Sequence, residues 1–194
     1  MKSRILLIFA SFLIPLAALA QHAKFYDYPI DGPISKFDKI LTQQEGFVTS
    51  GTQNNNGSGT NFYDGQFIGL PCKLFVYYDP SSKNVYRVRV MIPTKTEQAA
   101  LTWLYKVAEP LMNYYDLELE ESTHGDYPSI EGFMMDIDRI TPGRNNLFDN
   151  VFDVGWMEFF IGNVGAQYAV LLDIYDIANS VRYGKLPDKV DSYR

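Results

Sequence analysis

The chain has 194 residues, of which 46% are hydrophobic and 15% aromatic. This length suits one domain with a substantial core, and this composition excludes a disordered chain. Acidic residues number 23 against 17 lysines and arginines, so the formal net charge is −6 at pH 7, which argues against nucleic acid and anionic lipid as partners.

Residues 1–20 have the pattern of a cleavable export signal. Lys2 and Arg4 provide a positive start, residues 5–16 form an apolar run, and Ala18-Leu19-Ala20 is a small-x-small cleavage site. The run is shorter than the roughly 20 residues that span a bilayer. We therefore expect a mature chain that begins at Gln21, is periplasmic or secreted, and has no stable membrane insertion. Losing Lys2 and Arg4, two positive charges, changes its formal net charge from −6 to −8.

Cys72 is the only cysteine. An internal disulfide is therefore excluded, and stability must come from packing even in an oxidising compartment. Because Cys72 lies far downstream of the apolar run, it offers no attachment point for a lipoprotein anchor. We expect it to be a small buried hydrophobic residue.

The first predicted helix begins near Pro33, after the sequence Asp31-Gly32, and ends at Gly46. Its apolar residues recur at helical spacing, namely Ile34, Phe37, Ile40 and Leu41. Residues 53–59 follow, with the polar, glycine-rich sequence QNNNGSG. This composition predicts a mobile loop.

The clearest structural signal is a strict alternation of side chains over residues 73–78 and 86–92, which predicts two strands joined by residues 79–84. One face carries Leu74, Val76, Tyr78, Tyr86, Val88, Val90 and Ile92, and the other carries Lys73, Phe75, Tyr77, Arg87, Arg89 and Met91. A further strand at 61–68 completes a three-stranded antiparallel meander. We expect helices to cover Leu74, Val76, Val88 and Val90, and the arginine side to stay accessible.

The second predicted helix begins at the capping box Thr94-x-x-Glu97, and its apolar stripe runs on to Leu111. Pro110 is expected to end or kink it, because proline removes a backbone donor. Strands follow at 133–138, 154–161 and 168–176, with a short edge strand at 117–120 as a further candidate. The polar residues 178–194 predict a frayed tail.

These elements predict a single α+β domain over residues 21–194. Its antiparallel sheet would have about six strands, in the order helix, three strands, helix, three or four strands, and two helices would pack on one sheet face. The halves share this layout, which leaves an internal repeat open.

Several segments in the first half of the mature chain resemble known proteins. They are Tyr28-Pro29-Ile30-Asp31-Gly32, Gly46-Phe47, Phe62-Tyr63-Asp64-Gly65-Gln66-Phe67-Ile68-Gly69, Val76-Tyr77-Tyr78-Asp79 and Val85-Tyr86-Arg87-Val88. Together they resemble small, largely uncharacterised secreted or periplasmic α+β proteins of gut Bacteroidetes. The resemblance implies an envelope or secreted location and an α+β fold. It carries over no functional residues and does not extend to the second half.

Histidine is scarce, which restricts the chemistry. His22 adjoins the expected cleavage point, where a chain end is usually unordered, so only His124 would remain for a folded site. His124 lies in a predicted loop, where an exposed turn residue is the favoured interpretation. The sequence has no Gly-x-Ser-x-Gly motif. One cysteine and two histidines do not make a zinc site, so we expect no metal and no cofactor.

Carboxylates are the remaining catalytic resource. The alternation places Asp136, Asp138, Glu158 and Asp173 opposite the apolar residues of their strands. A glycosidase needs two such groups about 5 to 10 Å apart, and Trp156 and Phe160 share the phase of Glu158 as a surface for a sugar ring. The competing interpretation is an outer sheet face whose acids pair with Arg87, Arg89 or Lys73.

Two functional hypotheses follow. The favoured one is a non-enzymatic binding module of the cell envelope, with Phe75, Tyr77, Arg87 and Arg89 as its binding residues. Its partner would be an envelope protein, a peptide or a glycan. The alternative is a carboxylate-dependent hydrolase that acts on glycan through an acidic site of Asp136, Glu158 and Asp173.

Overall fold

A computed structural model describes residues 22–55, 57–115, 120–122, 132–137, 154–164 and 167–185. The predicted signal, the mature start at Gln21, His124, Asp138 and most of the candidate edge strand at 117–120 lie outside these residues. Within the described ranges, no helix is both long and apolar enough to cross a membrane.

The described elements follow one another as two helix-plus-strand halves and a final short helix. The first half contains β1 (Lys24–Phe25), β2 (Tyr28–Pro29), α1 (Ile34–Gln43), β3 (Val48–Asn55), β4 (Ser58–Phe67), β5 (Leu70–Tyr78) and β6 (Val85–Thr94). The second half contains α2 (Glu97–Tyr115), β7 (Glu120–Ser122), β8 (Gly132–Ile137), β9 (Gly155–Val164), β10 (Gln167–Asp176) and α3 (Ile177–Arg182).

The main sheet is antiparallel throughout and confirms the predicted α+β class. Its strand order is β3-β4-β5-β6-β10-β9-β8-β7, and β1 and β2 form a separate two-stranded sheet. Each half contributes a four-stranded meander, and the two meanders meet where β6 pairs with β10. The halves therefore share a layout, while a repeat in sequence remains a prediction.

The helices α1 and α2 pack on one face of this sheet, as the alternation predicted. Phe37 and Leu41 of α1 and Leu104 of α2 are buried in the same cluster as the strand residues Leu74, Val76, Val88, Val90, Val170, Leu172, Ile174, Met157, Phe159 and Ile161. Each large apolar side chain buried there contributes about 1.5–3 kcal/mol. We call this side of the sheet the core face.

Residues 53–55 and 58–59 are paired strand residues of β3 and β4, so the prediction of a mobile loop over 53–59 was wrong. Gln53 pairs with Thr60 and Asn55 with Ser58 across the hairpin. The sequence Asn56-Gly57 favours a tight hairpin turn, and Gly57 has a φ of +76°. Backbone hydrogen bonds join β3 to β4, and β4 is itself paired with β5. The segment can therefore be ordered without burying apolar side chains of its own.

The helix α2 differs from its prediction at both ends. It begins at Glu97, and Thr96 rather than Thr94 caps it, since Thr96 Oγ1 accepts a hydrogen bond of 3.1 Å from Ala99 N. The helix also continues through Pro110 to Tyr115. Leu111 is buried in the core, and this packing outweighs the backbone donor that proline lacks.

The first part of the predicted frayed tail is the helix α3. Asp176 caps it, accepting from Asn179 N at 2.8 Å. Asn179 and Ser180 are buried despite their polarity. The Asn179 amide donates to backbone oxygens of Ile30 and Val85 at 3.2 and 3.1 Å, so its burial leaves no polar group unsatisfied there. Residues 186–194 lie outside the described ranges.

Candidate functional site

The residues of the predicted binding site share the sheet face opposite α1 and α2. Phe75 lies directly opposite Arg89, and Tyr77 lies opposite Arg87. All four side chains are partly exposed. We call this side the arginine face.

The strand register brings the residues of the alternative acidic site to neighbouring strand positions. Asp173 of β10 lies opposite Arg89 of β6 and also opposite Glu158 of β9. Asp136 of β8 lies opposite Trp156 of β9, two positions from Glu158. The two site hypotheses therefore concern neighbouring strand positions of one sheet.

Asp173 binds both arginines. Its Oδ1 accepts from Arg89 Nε, and its Oδ2 accepts from Arg89 Nη2 and Arg87 Nη2, each at 2.6 Å. Asp173 is 0% exposed, whereas Arg87 and Arg89 retain 18% and 27% of their side-chain exposure. The predicted pairing of acids with arginines is thus found at Asp173, although in buried form. Lys73 pairs instead with Asp64, at 3.0 Å on the surface.

In this arginine–aspartate triad, Arg87 and Arg89 both keep their positive charge beside Asp173. Burial opposes the charged forms of Arg87 and Arg89, but the Asp173 carboxylate outweighs it and holds the pKa of both guanidinium groups above the ordinary value. Since both Asp173 oxygens are bound to guanidinium groups, this carboxylate is not free to act as a general acid or base on a substrate.

Two tyrosine rings enclose the Arg87 guanidinium. Its central carbon lies 4.6 Å from the ring centre of Tyr77 and 4.6 Å from that of Tyr175. Tyr77 and Tyr175 flank Arg87 on the two neighbouring strands, and such cation–π contacts are strengthened by desolvation. Arg87 Nε is buried and has no hydrogen-bond partner among the described residues. The triad and the rings therefore fix the side chain of Arg87.

Tyr86 lies on the arginine face, and its predicted place on the core face was wrong. The register shifts between Tyr77, which pairs with Arg87, and Tyr78, which pairs with Val85. Tyr86 is the extra residue of this bulge, and Val85 takes the buried core position. A bulge breaks the period of two that the prediction assumed. The Tyr86 hydroxyl lies 2.8 Å from Ser58 Oγ.

The strands β3 to β6 form a concave site on the arginine face, which we call the sheet cleft. It has a volume of about 460 Å³ and is lined by Gln53, Ser58, Thr60, Phe62, Phe75, Tyr77, Tyr86, Arg87 and Lys185. Phe75, Tyr77 and Arg87 were predicted binding residues, while Arg89 does not line the cleft. Gln53 of β3 and Ser58 at the start of β4 were missed because residues 53–59 were interpreted as a loop, although the sequence Asn56-Gly57 indicated a hairpin. Phe62 lies in the predicted strand at 61–68 but was not among the predicted binding residues.

The sheet cleft combines aromatic, hydroxyl, amide and cationic groups. Phe62 and Phe75 meet edge to face with ring centres 5.3 Å apart. Arg87 and Lys185 supply positive charge, and none of the lining residues is a carboxylate, a histidine or a cysteine. These groups can hold a ligand through stacking, hydrogen bonds and charge.

Other reactive groups lie away from the sheet cleft. Cys72 is buried as predicted, and burial, followed by the nearby Asp64, raises the pKa of its thiol to about 12. The thiol therefore stays protonated and unreactive at neutral pH. Within the part of the chain that the structure describes, no three histidine, cysteine or acidic side chains are grouped so as to hold a metal ion.

No family model, curated protein or solved structure matches the chain. The resemblance to secreted proteins of gut Bacteroidetes therefore stays a prediction from the sequence, and function must be argued from the site itself.

Proposed function

We propose that this domain is a non-enzymatic binding module of the bacterial cell envelope, periplasmic or secreted, and that the sheet cleft holds its ligand. The observation that carries the proposal is the lining of the cleft, where aromatic rings and cations surround a concave volume of about 460 Å³. The location is supported by the export pattern of residues 1–20.

The two sheet faces differ in a way that supports a binding role. The core face buries the large apolar cluster that stabilises the domain. The cleft side instead leaves Phe62, Phe75 and Tyr77 partly exposed, which costs free energy in water unless a partner covers them. Partly exposed aromatic side chains beside an arginine are the residue types that dominate binding energy at recognition sites.

The chemistry of the cleft favours binding over turnover. Its lining residues offer no nucleophile–base pair and no carboxylate, whereas hydrolysis of a glycan needs two acidic groups across the scissile bond. Arg87 is already held by Asp173 and two tyrosines. A fixed cation suits recognition, because little side-chain entropy is lost when a ligand binds.

The glycan hydrolase remains the second candidate, and one observation favours it. The register brings Asp136, Glu158 and Asp173 to neighbouring positions on β8, β9 and β10. Because both oxygens of Asp173 are occupied, catalysis would fall to Asp136 and Glu158. The variants Asp136→Asn and Glu158→Gln test this. Glycan turnover by the wild type that these variants abolish would overturn the binding proposal.

Binding itself is tested by NMR titration of the isotope-labelled mature domain with soluble sugars and short peptides. We expect at least one compound to shift the signals of cleft residues. Gln53→Ala and Phe75→Ala should weaken its binding by about tenfold. Tyr105→Ala is the matched control, because Tyr105 is an exposed aromatic residue on α2, outside the cleft. Binding that only the control weakens would contradict this assignment of the site.

A further inference from the structure

We infer that the ligand of the sheet cleft is a sugar that carries a carboxylate, such as a uronic acid unit. This inference rests on the proposed binding function and adds the chemical class of the ligand. It follows from three properties of the cleft: the sign of its charge, its aromatic surface and its mixture of hydrogen-bonding groups.

The charge of the cleft selects an anion. Arg87 and Lys185 are the charged residues of its lining, and both are positive. Arg87 shares its carboxylate partner Asp173 with Arg89, so two guanidinium groups meet one carboxylate there. Lys185 forms no ion pair with the described side chains. A local positive site on a chain of net charge −6 attracts an anionic group and disfavours a cationic one.

The aromatic surface indicates a ring-shaped ligand rather than a bare anion. Phe62, Phe75 and Tyr77 present partly exposed rings to the cleft. An inorganic anion or a free carboxylate gains nothing from such surfaces, whereas the C–H face of a sugar ring can pack flat against them. The volume of about 460 Å³ lies within the range of small-molecule sites.

The polar lining fits hydroxyl groups. Gln53 offers an amide, Thr60 a hydroxyl, and the Ser58–Tyr86 pair two hydroxyls 2.8 Å apart. These groups both donate and accept, as sugar hydroxyls require. A peptide is less suitable, because extended peptides bind through unpaired backbone groups of an edge strand. The strands β4, β5 and β6 of the cleft are paired on both sides, whereas β3 is an edge strand that contributes the Gln53 side chain to the lining.

The test uses two matched disaccharides, digalacturonate and its neutral counterpart galactobiose, in calorimetric or NMR titrations of the mature domain. We expect digalacturonate to bind at least about tenfold more tightly, because it adds charge-assisted hydrogen bonds. Raising the salt concentration should weaken digalacturonate binding and leave galactobiose binding unchanged.

A pair of charge variants locates the effect in the cleft. Lys185→Gln should weaken digalacturonate binding by about tenfold. Lys73→Gln removes the same charge from the same sheet face, but Lys73 does not line the cleft. The affinity of this variant for digalacturonate should therefore equal that of the wild type. Equal losses in the two variants would overturn the inference, since they would reflect net charge alone.

The outcomes separate this inference from the proposed function. If galactobiose binds in the cleft as tightly as digalacturonate, the anionic class is wrong and the binding module stands. If an acidic peptide binds there and neither disaccharide does, the sugar class is wrong and the binding module again stands. If neither disaccharide binds, and none of the soluble sugars and short peptides of the NMR titration binds, both the inference and the proposed function fail.

Discussion

Nδ1 of His22 lies 2.9 Å from Oδ2 of Asp176, which joins the first described residue to the cap of the last helix, 154 positions away. Asp176 is fully buried, and the same Oδ2 accepts from Ala23 N at 2.9 Å. Its Oδ1 accepts from Asn179 N at 2.8 Å. The expectation that His22 belongs to an unordered chain end was therefore wrong, because a buried carboxylate anchors it.

This anchor predicts that unfolding stability depends on pH through His22. The hydrogen bond with Asp176 raises the pKa of His22 above 6.5, against the opposing effect of burial, and Asp31 also raises it while Arg182 lowers it. Because the pKa of His22 is higher in the folded than in the unfolded state, protonated His22 stabilises the fold. This stabilisation is fully present below pH 6.5 and is lost as the pH rises through the folded-state pKa. Urea unfolding at a series of pH values above and below 6.5 measures this.

The control for His22 is His22→Gln, which keeps a hydrogen-bonding side chain but does not titrate. As the pH rises above 6.5, we expect the free energy of unfolding of this variant to fall less than that of the wild type. Identical pH profiles for the two proteins would show that the His22 contact does not carry the effect.

The triad on the arginine face predicts a large loss of stability for Asp173→Asn. The substitution leaves Arg87 and Arg89 close together without their shared carboxylate, and breaking such a buried pair costs about 3–5 kcal/mol. Asp64→Asn is the matched control. It makes the same chemical change at the exposed pair with Lys73, which contributes about 0–1 kcal/mol. Urea unfolding of both variants checks the prediction.

A triple variant separates two contributions to the free energy of unfolding: the destabilisation caused by unpaired buried charges and the net stabilisation by the intact triad. Replacing all three members by apolar residues, with Arg87→Met, Arg89→Met and Asp173→Leu, removes every charge at once. We expect it to lose less stability than Asp173→Asn, because no charge is left unpaired. A larger loss than in the single variant would mean that the triad is strongly stabilising by itself.

The faces of the central strands could be predicted from the sequence, since a period of two fixes side-chain directions along a regular strand. The alternation correctly predicts that Phe75, Tyr77, Arg87 and Arg89 share one face and that α1 and α2 cover the other. It failed at Tyr86, because a bulge adds one residue without a strong sequence signal.

The polar segments were harder to predict for a different reason. Low hydrophobicity indicates exposure only when polar groups lack partners within the protein. Asn179 finds backbone acceptors in distant parts of the chain, and no local pattern shows this. The strand β3 depends in the same way on pairing with β4. The cleft, which needs β3, β4 and the Tyr86 bulge, was therefore only partly predictable.

The β3–β4 hairpin predicts that two glycines differ in their tolerance of alanine. A Cβ at Gly59 would overlap the buried ring of Tyr78, while a Cβ at Gly51 would meet Phe62 Cδ2 at an ordinary 3.5 Å. We expect Gly59→Ala to cost about 1–3 kcal/mol, as overpacking does, and Gly51→Ala to cost less. Thermal unfolding of both variants is the measurement, and equal melting temperatures would contradict this packing.

The last prediction concerns the start of the mature chain. The small-x-small sequence Ala18-Leu19-Ala20 predicts cleavage before Gln21, which makes His22, the partner of Asp176, the second residue of the mature protein. Intact-mass spectrometry of protein recovered from the native host should show a chain that begins at Gln21. Ala20→Arg places a large charged residue at the cleavage site and should leave the signal attached. A wild-type chain that retains residues 1–20 would refute cleavage. A chain that starts after His22 would show that the Asp176 anchor is dispensable.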